Sequence, residues 1–381
     1  MIKRHLAFPK MHLYVQDTCQ SAEEKRLKLI SQPGDSVAPL LNAIDKAKSS
    51  VAIAIFRFAH QGLEQALVSA VRRGVPVSAL IAHTNGSDPE GLRKLELRLI
   101  AAGIKVARTD GSLARYHSKY LIIDGKQLFV LAFNYTHQDI NQSRSFGLII
   151  KNSRLVCEAL KLFEADVMRQ PYKPGSSSLV VSPLNARKQL SAFLNAAKKD
   201  LSIYDPRISD PAMIRLLRER VKAGVTVRVI GRLNGNHGDI AVRHLKTLRL
   251  HTRSIVRDGK VLFLGSQSLR EHELDRRREL GVICRDRAAV AGVMKVFEED
   301  WAGAKPAPQK EVEQRPLTKI AKKVGRAVSE ELPSVAPILE SVLEGPGSVP
   351  ELQVAKEDID IAVRHAVKHA VKAVIEQAIE K

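Results

Sequence analysis

The chain has 381 residues, enough for two domains of ordinary size plus an appendage, each able to bury its own core. Its net charge of +20 suits a polyanionic partner, while three scattered cysteines, Cys19, Cys157 and Cys284, argue against a disulfide scaffold or a structural zinc site. No stretch reaches the roughly 18 uninterrupted apolar residues of a membrane-spanning helix, and the opening MIKRHLAFPK lacks the apolar centre of a secretory signal. The expectation is a cytoplasmic protein with reduced thiols, at most peripheral to the inner face of a membrane.

In chain order, AIDKAKSSVAIAIF (43–56) reads as a helix feeding a strand, LEQALVSAVRRG (63–74) as a helix stopped by Gly74, and VPVSALIA (75–82) as a second buried strand. YHSKYLIID (116–124) alternates as a strand does and ends in Asp-Gly, a hairpin signal, with QLFVLAF (127–133) as its return. The helix LVCEALKLFEADVMRQ (155–170) closes this half before a Pro-, Gly- and Ser-rich linker, QPYKPGSSS (170–178).

The order then recurs in FLNAAKKDLSIYD (193–205), MIRLLRERVKAG (213–224), VTVRVIGR (225–232), LHTRSIVRD (250–258), VLFLGS (261–266) and AAVAGVMKVFEEDW (288–301). Helix–Gly–strand segments align at an offset of 150 residues and hairpin runs at 134, so the second half is 16 residues shorter between these landmarks. Such alternation predicts an α/β protein: two repeats, each a mostly parallel sheet joined by an antiparallel hairpin and flanked by helices. The expected domains are an N-terminal arm (1–34), two repeats (35–170 and 171–304) and a C-terminal tail (305–381).

After Trp301, read as packing a terminal helix, the composition changes. A Pro-rich linker leads to two helical segments, the last with an apolar stripe of Ile359, Val363, Val367, Val371, Val374 and Ile379 that suits docking or self-association ahead of weak membrane contact, because its polar face carries both charge signs. His365 and His369, four apart, are read as a solvated helix face rather than a metal pair. Residues 306–381 carry 11 Lys and Arg against 12 Asp and Glu, so the body alone bears +21. That field attracts an anionic phospholipid or membrane surface, or DNA or RNA.

One constellation occurs twice: His117-Ser-Lys119 with Asp124, and His251-Thr-Arg253 with Asp258, each Asp seven residues after its His. Along a strand the His and the cation share a face, whereas the Asp points away and braces its hairpin. Two such strands meeting would gather two imidazoles and two cations in one pocket, an inventory suited to a phosphodiester. A neutral imidazole can attack phosphorus and a second can move the leaving-group proton. Cations and hydrogen-bond donors steady the charge of the transition state without a cofactor or metal. Arg57 and His60 follow a strand end where a parallel sheet presents pocket residues, and a surface role fits them equally.

These residues resemble the phospholipase D superfamily, whose signature is H-x-K-x4-D followed six residues later by G-S-x-N. The first copy is HSKYLIID, GKQLFV, LAFN, with Asn134 in the final place; the second is HTRSIVRD, GKVLFL, GSQS, with Ser268 there. The resemblance spans roughly residues 35 to 301. It implies two phospholipase-D-like repeats about a pseudo-twofold, with one metal-independent site between them. In its terms His117 is the nucleophile and His251 the general acid, while Lys119, Asn134, Arg253 and Ser268 bind phosphate.

The family's supporting carboxylate, 28 residues after each motif His, falls at Glu279 for His251 and at Ser145 for His117. A Glu-backed imidazole at 251 leaves the order of the two histidines open, and Glu279 could instead pair with Arg276 or Arg278. The implied activity is phosphodiester cleavage or transfer on a phospholipid. A metal-independent nuclease and a catalytically impaired anion-binding or scaffold protein are the alternatives.

Overall fold

A computed structural model of the chain describes residues 27–83, 89–109 and 111–307, with three residues of the tail, 366, 367 and 370. The arm before residue 27, the tail's apolar stripe apart from Val367, the self-association expected of it, and His365 and His369 lie outside the described residues.

The first half runs β1 (Lys28–Gln32), α1 (Ala38–Asp45), β2 (Val51–Ile55), α2 (Gln61–Arg72), β3 (Val77–Ile81), α3 (Pro89–Ala101), β4 (Lys105–Arg108), β5 (Arg115–Tyr116), β6 (Tyr120–Ile123), β7 (Gln127–Leu131), α4 (His137–Asn141), β8 (Ser143–Ile150) and α5 (Ser153–Val167). The second runs β9 (Leu179–Ser182), α6 (Ala186–Asn195), β10 (Asp200–Ile208), α7 (Pro211–Lys222), β11 (Thr226–Leu233), β12 (Ala241–His244), β13 (Arg249–Leu250), β14 (Arg253–Arg257), β15 (Val261–Gly265), α8 (Glu271–Asp275), β16 (Arg277–Cys284), α9 (Arg287–Gly303) and β17 (Lys305–Pro306).

The two halves match element for element except that α3 and the edge strand β17 have no counterparts. The 13 residues of α3 account for most of the 16-residue difference between the repeats. Local chemistry sets the boundaries. Gly74 and Gly224, at φ +81° and +85°, end α2 and α7 in a backbone conformation that side chains disfavour. Asn152 and Asp286 cap α5 and α9 by accepting the Leu155 and Ala289 N–H groups. Both Asp-Gly pairs have positive φ and turn the hairpins β6–β7 and β14–β15.

Each sheet is parallel on one flank (β2–β3–β4; β10–β11–β12) and antiparallel through its hairpin to β8 or β16. One apolar cluster packs against α1 and α2, and another against α6 and α7. A third draws on both halves, bringing Phe146, Leu148 and Phe163 together with Tyr204, Leu264 and Phe297, so the halves share a core. They belong to one compact unit that ends at Gln309, with residues 310–381 in another.

Matched ion pairs cross the shared core. Arg278 of β16 donates to Asp166 at the end of α5 at 3.1 Å, and Arg144 of β8 donates to Asp300 of α9 at 2.7 and 3.0 Å.

The edges depart from the expected boundaries. Lys28–Gln32, assigned to the arm, pairs with β8, and Lys305–Pro306, assigned to the tail, pairs with β12. Neither has the alternating pattern of a half-buried strand, because each is an edge strand held by backbone pairing. Cys284 is a free thiol, and Cys19 lies outside the described residues.

Candidate active site

Each half lends the other a two-residue strand. β5 lies parallel to the start of β16, and the next residue, His117, donates its N–H to the Arg278 carbonyl at 2.8 Å. β13 lies in the same way along β8, and the His251 N–H donates to the Arg144 carbonyl at 3.1 Å. The exchange sets each motif histidine against a strand of the opposite half.

This exchange decides the carboxylate. Glu279 Oε2 is 2.9 Å from His117 Nδ1, which corrects the expectation that Glu279 backs His251 or pairs with Arg276 or Arg278. The 28-residue count finds the right residue, but strand exchange turns it toward the other half's imidazole. Ser145 occupies the corresponding place on β8. Its hydroxyl and His251 Nδ1 are both buried without a hydrogen-bond partner, and the carboxylate beside His251 is Asp139, with Oδ2 3.7 Å from Nδ1.

A carboxylate facing Nδ1 of His117 favours the tautomer with its proton on that nitrogen and the lone pair on Nε2. Lys119 Nζ lies 2.9 Å from both ring nitrogens, so the His and the cation share a face as strand parity predicts. Phe56 meets the imidazole edge-on with ring centroids 4.5 Å apart. In the second half Arg253 donates to the His251 carbonyl at 2.7 Å and to Ser268 Oγ at 3.2 Å. Asn134 donates its backbone N–H and its amide to Asp139 at 2.8 and 2.6 Å; Ser268 donates its N–H to Glu273 at 2.7 Å.

Asp124 and Asp258 turn elsewhere. Asp124 accepts the N–H groups of Lys48, Ser49 and Ser50, and Asp258 those of Lys198, Lys199 and Asp200, tying each hairpin to the loop before β2 or β10. His60 caps α2 and stacks on His137, and the Arg57 guanidinium lies over Phe56. Trp301 stacks on Phe297 of the same helix.

The two imidazoles belong to one electrostatic cluster. Burial pushes His117 well below the usual range, with Lys119 and Arg253 adding to the effect. His251 is depressed in the same direction by burial, then by Arg253, Lys119, Arg249 and His117. Burial brings Lys119 down to about 7, opposed by Glu279 and reinforced by Arg253. Glu279 is raised by burial. Glu273 stays low, because Arg253 and Arg277 outweigh its desolvation. Both histidines are buried, with 7% and 9% of the residue surface exposed.

Sequence reasoning missed Asp139, Glu273, Arg249 and Phe56. A signal for the two acids was present: each stands five residues after Asn134 or Ser268, and they align at the same offset of 134. Among the described residues, no group of three or more His, Cys, Asp or Glu is disposed to hold a metal ion. Nor is any helix among them long and apolar enough to cross a membrane.

Residues 40–167 and 190–301 match the family described as cardiolipin synthase, PLD-like domain. The chain belongs to this family, within the phospholipase D superfamily. Mitochondrial cardiolipin hydrolase of Mus musculus is 34% identical over 133 residues, covering 34% of this chain and 57% of that protein. The Danio rerio protein of the same name is 28% identical over 138 residues, covering 34% and 58%. The chain thus spans little more than half the length of these curated relatives.

Two solved structures share the fold at low identity. Phosphatidylserine synthase of Haemophilus influenzae Rd KW20 superposes with a TM-score of 0.61 at 11% identity, covering 85% of this chain and 99% of that one. Polyphosphate kinase of Porphyromonas gingivalis superposes at 0.63 and 16%, covering 76% and 51%.

Proposed function

We propose that the protein is a phospholipase-D-type phosphodiesterase or phosphatidyltransferase that acts on phospholipid through a phosphohistidine, without a metal. The observation that carries this reading is the His117–Glu279 contact, which leaves Nε2 of a buried, neutral imidazole beside an ammonium group. That nitrogen attacks phosphorus, forming P–N as P–O to the leaving alkoxide breaks; His251 gives the alkoxide its proton. Water or an acceptor alcohol then attacks the phosphohistidine, His251 takes its proton, and the P–N bond breaks.

Lys119 and Arg253 bear the charge on the non-bridging oxygens. Asn134, with one amide proton given to Asp139, has a second to offer, and Ser268 supplies a hydroxyl. The depressed imidazoles suit this order. His117 needs no deprotonation before attack, and a bound phosphate anion raises His251 so that it can carry the proton. These cations supply the charge neutralisation that a metal gives elsewhere.

A lipid substrate is supported by the family, by relatives named for cardiolipin hydrolysis and by the +21 body. The same charge favours a nuclease as the second reading. The test is purified protein with anionic phospholipid vesicles and with single- and double-stranded DNA, with and without chelator, followed by acid-labile phosphoenzyme trapping. Lipid cleavage that chelator leaves intact, with phosphate mapped to His117, is the expected result. Turnover of DNA alone selects the nuclease, and absence of any phosphoenzyme leaves a binding protein.

A further inference from the structure

The two imidazoles are held by unequal means. His117 has Glu279 on Nδ1 and the Phe56 ring at its side. Where symmetry would put a carboxylate for His251 there is Ser145, and neither its hydroxyl nor His251 Nδ1 has a hydrogen-bond partner. A general acid with a loose ring loses the alignment on which proton transfer depends.

We propose that Asp139 is the positioning carboxylate of His251, filling the role that Ser145 leaves vacant. The inference rests on the reading of His251 as general acid. Asp139 is buried at 3% exposure on α4, and Oδ2 stands 3.7 Å from His251 Nδ1, within ion-pair reach and one short step from a hydrogen bond. Its orientation is set from two sides: Asn134 donates to Oδ2, and Arg249, on the strand exchanged from the second half, donates to Oδ1.

The counterpart position is used differently. Glu273 lies 3.1 Å from Arg270, 3.5 Å from Arg277 and 3.9 Å from Arg253, while His117 has Glu279 on Nδ1. When phosphate binds and His251 gains its second proton, the new Nδ1–H is drawn to Asp139. The Nε2 proton then faces the leaving oxygen; as P–O breaks, N–H breaks and O–H forms on the alkoxide.

The test uses the full chain, wild type and Asp139→Asn, on two substrates. A short-chain phospholipid has an alkoxide leaving group that needs a proton. Bis(p-nitrophenyl) phosphate releases a stable phenolate that needs none, and the first-turnover burst reports P–N formation alone. D139N should lose about 10²-fold in lipid turnover while its burst stays close to wild type. Adding S145E to D139N should recover lipid turnover by restoring a carboxylate from β8.

Unchanged lipid turnover in D139N overturns the proposal. So does a burst that falls in parallel with lipid turnover, which would mark Asp139 as a brace for Asn134 and Arg249 only. A wild type that forms no phosphoenzyme with either substrate overturns the enzymatic reading instead.

Discussion

The first and second halves have the same sheet order, the same exchanged strand and the same ion pair across the shared core, yet their active-site contents differ. The first contributes Lys119, Asn134 and an aromatic neighbour for its histidine; the second contributes Arg253, Ser268 and the carboxylate that serves the opposite histidine. Duplication therefore fixed the scaffold, whereas each pair of equivalent positions was free to specialise once the two copies faced one substrate. A residue's role in such a fold follows from the half it faces rather than the half that encodes it.

The widest split should come from the histidines. His117→Ala should abolish turnover and leave no phosphoenzyme. His251→Ala should lower lipid turnover by about 10²-fold or more, yet still form the phosphohistidine from a p-nitrophenyl ester and accumulate it, since water then lacks its base. Rapid quench with an acid-labile phosphate assay checks both. Equal behaviour of the two variants would erase the proposed difference between the halves.

Equivalent positions 279 and 145 give the next contrast. Glu279→Gln keeps the size but removes the charge that fixes the His117 tautomer and steadies its cationic phosphorylated form, so kcat should fall by about 10²-fold or more. Ser145→Ala removes a hydroxyl without a partner and should leave kcat unchanged. Steady-state kinetics on one lipid decides between crossed and uncrossed support.

Much of this was legible in the sequence. The repeat, both hairpins, the helix stops at Gly74 and Gly224 and the His–cation pairs came from periodicity, turn chemistry and parity. What parity could not supply was the crossing, because β5 and β13 are two residues long and owe their existence to the opposite sheet. Glu279 was therefore found by counting and given to the wrong imidazole. Asp139 lay on a five-residue helix with no pattern of its own, visible only by comparing the copies.

Lys119 and Arg253 offer a milder test. Lys119 is lowered to about 7 by burial, so in the free protein its charge is present below that pH and lost as pH rises through it. The pH profile of kcat/KM should bend downward near 7, while kcat, measured with anionic substrate bound, should not. Lys119→Arg makes the first motif like the second and keeps its charge throughout. Its alkaline limb should move up, at some loss of rate because the planar fork meets phosphate at a different angle.

The smallest effect separates Asp124 from Asp258. Both sit at positive φ, 55° and 52°, where alanine is strained, and each gathers three consecutive backbone N–H groups. Asp124 also accepts the Ser49 hydroxyl at 3.0 Å, a bond that Asp258 lacks. D258A should cost about 2 kcal/mol of stability, and D124A about 1 kcal/mol more. Urea unfolding followed through Trp301, the single tryptophan, measures the difference. Backbone N–H groups hold both carboxylates below their usual range against the opposing pull of burial. Their contribution is therefore complete above the unfolded value of about 3.9 and fades as pH falls toward the folded one. The gap between D124A and wild type should be full at pH 7 and narrow as pH falls below about 4, down to the part owed to backbone strain. A gap of the same size in acid would mean the strained backbone, not the carboxylate, carries the whole effect, and the two hairpins would then prove equivalent.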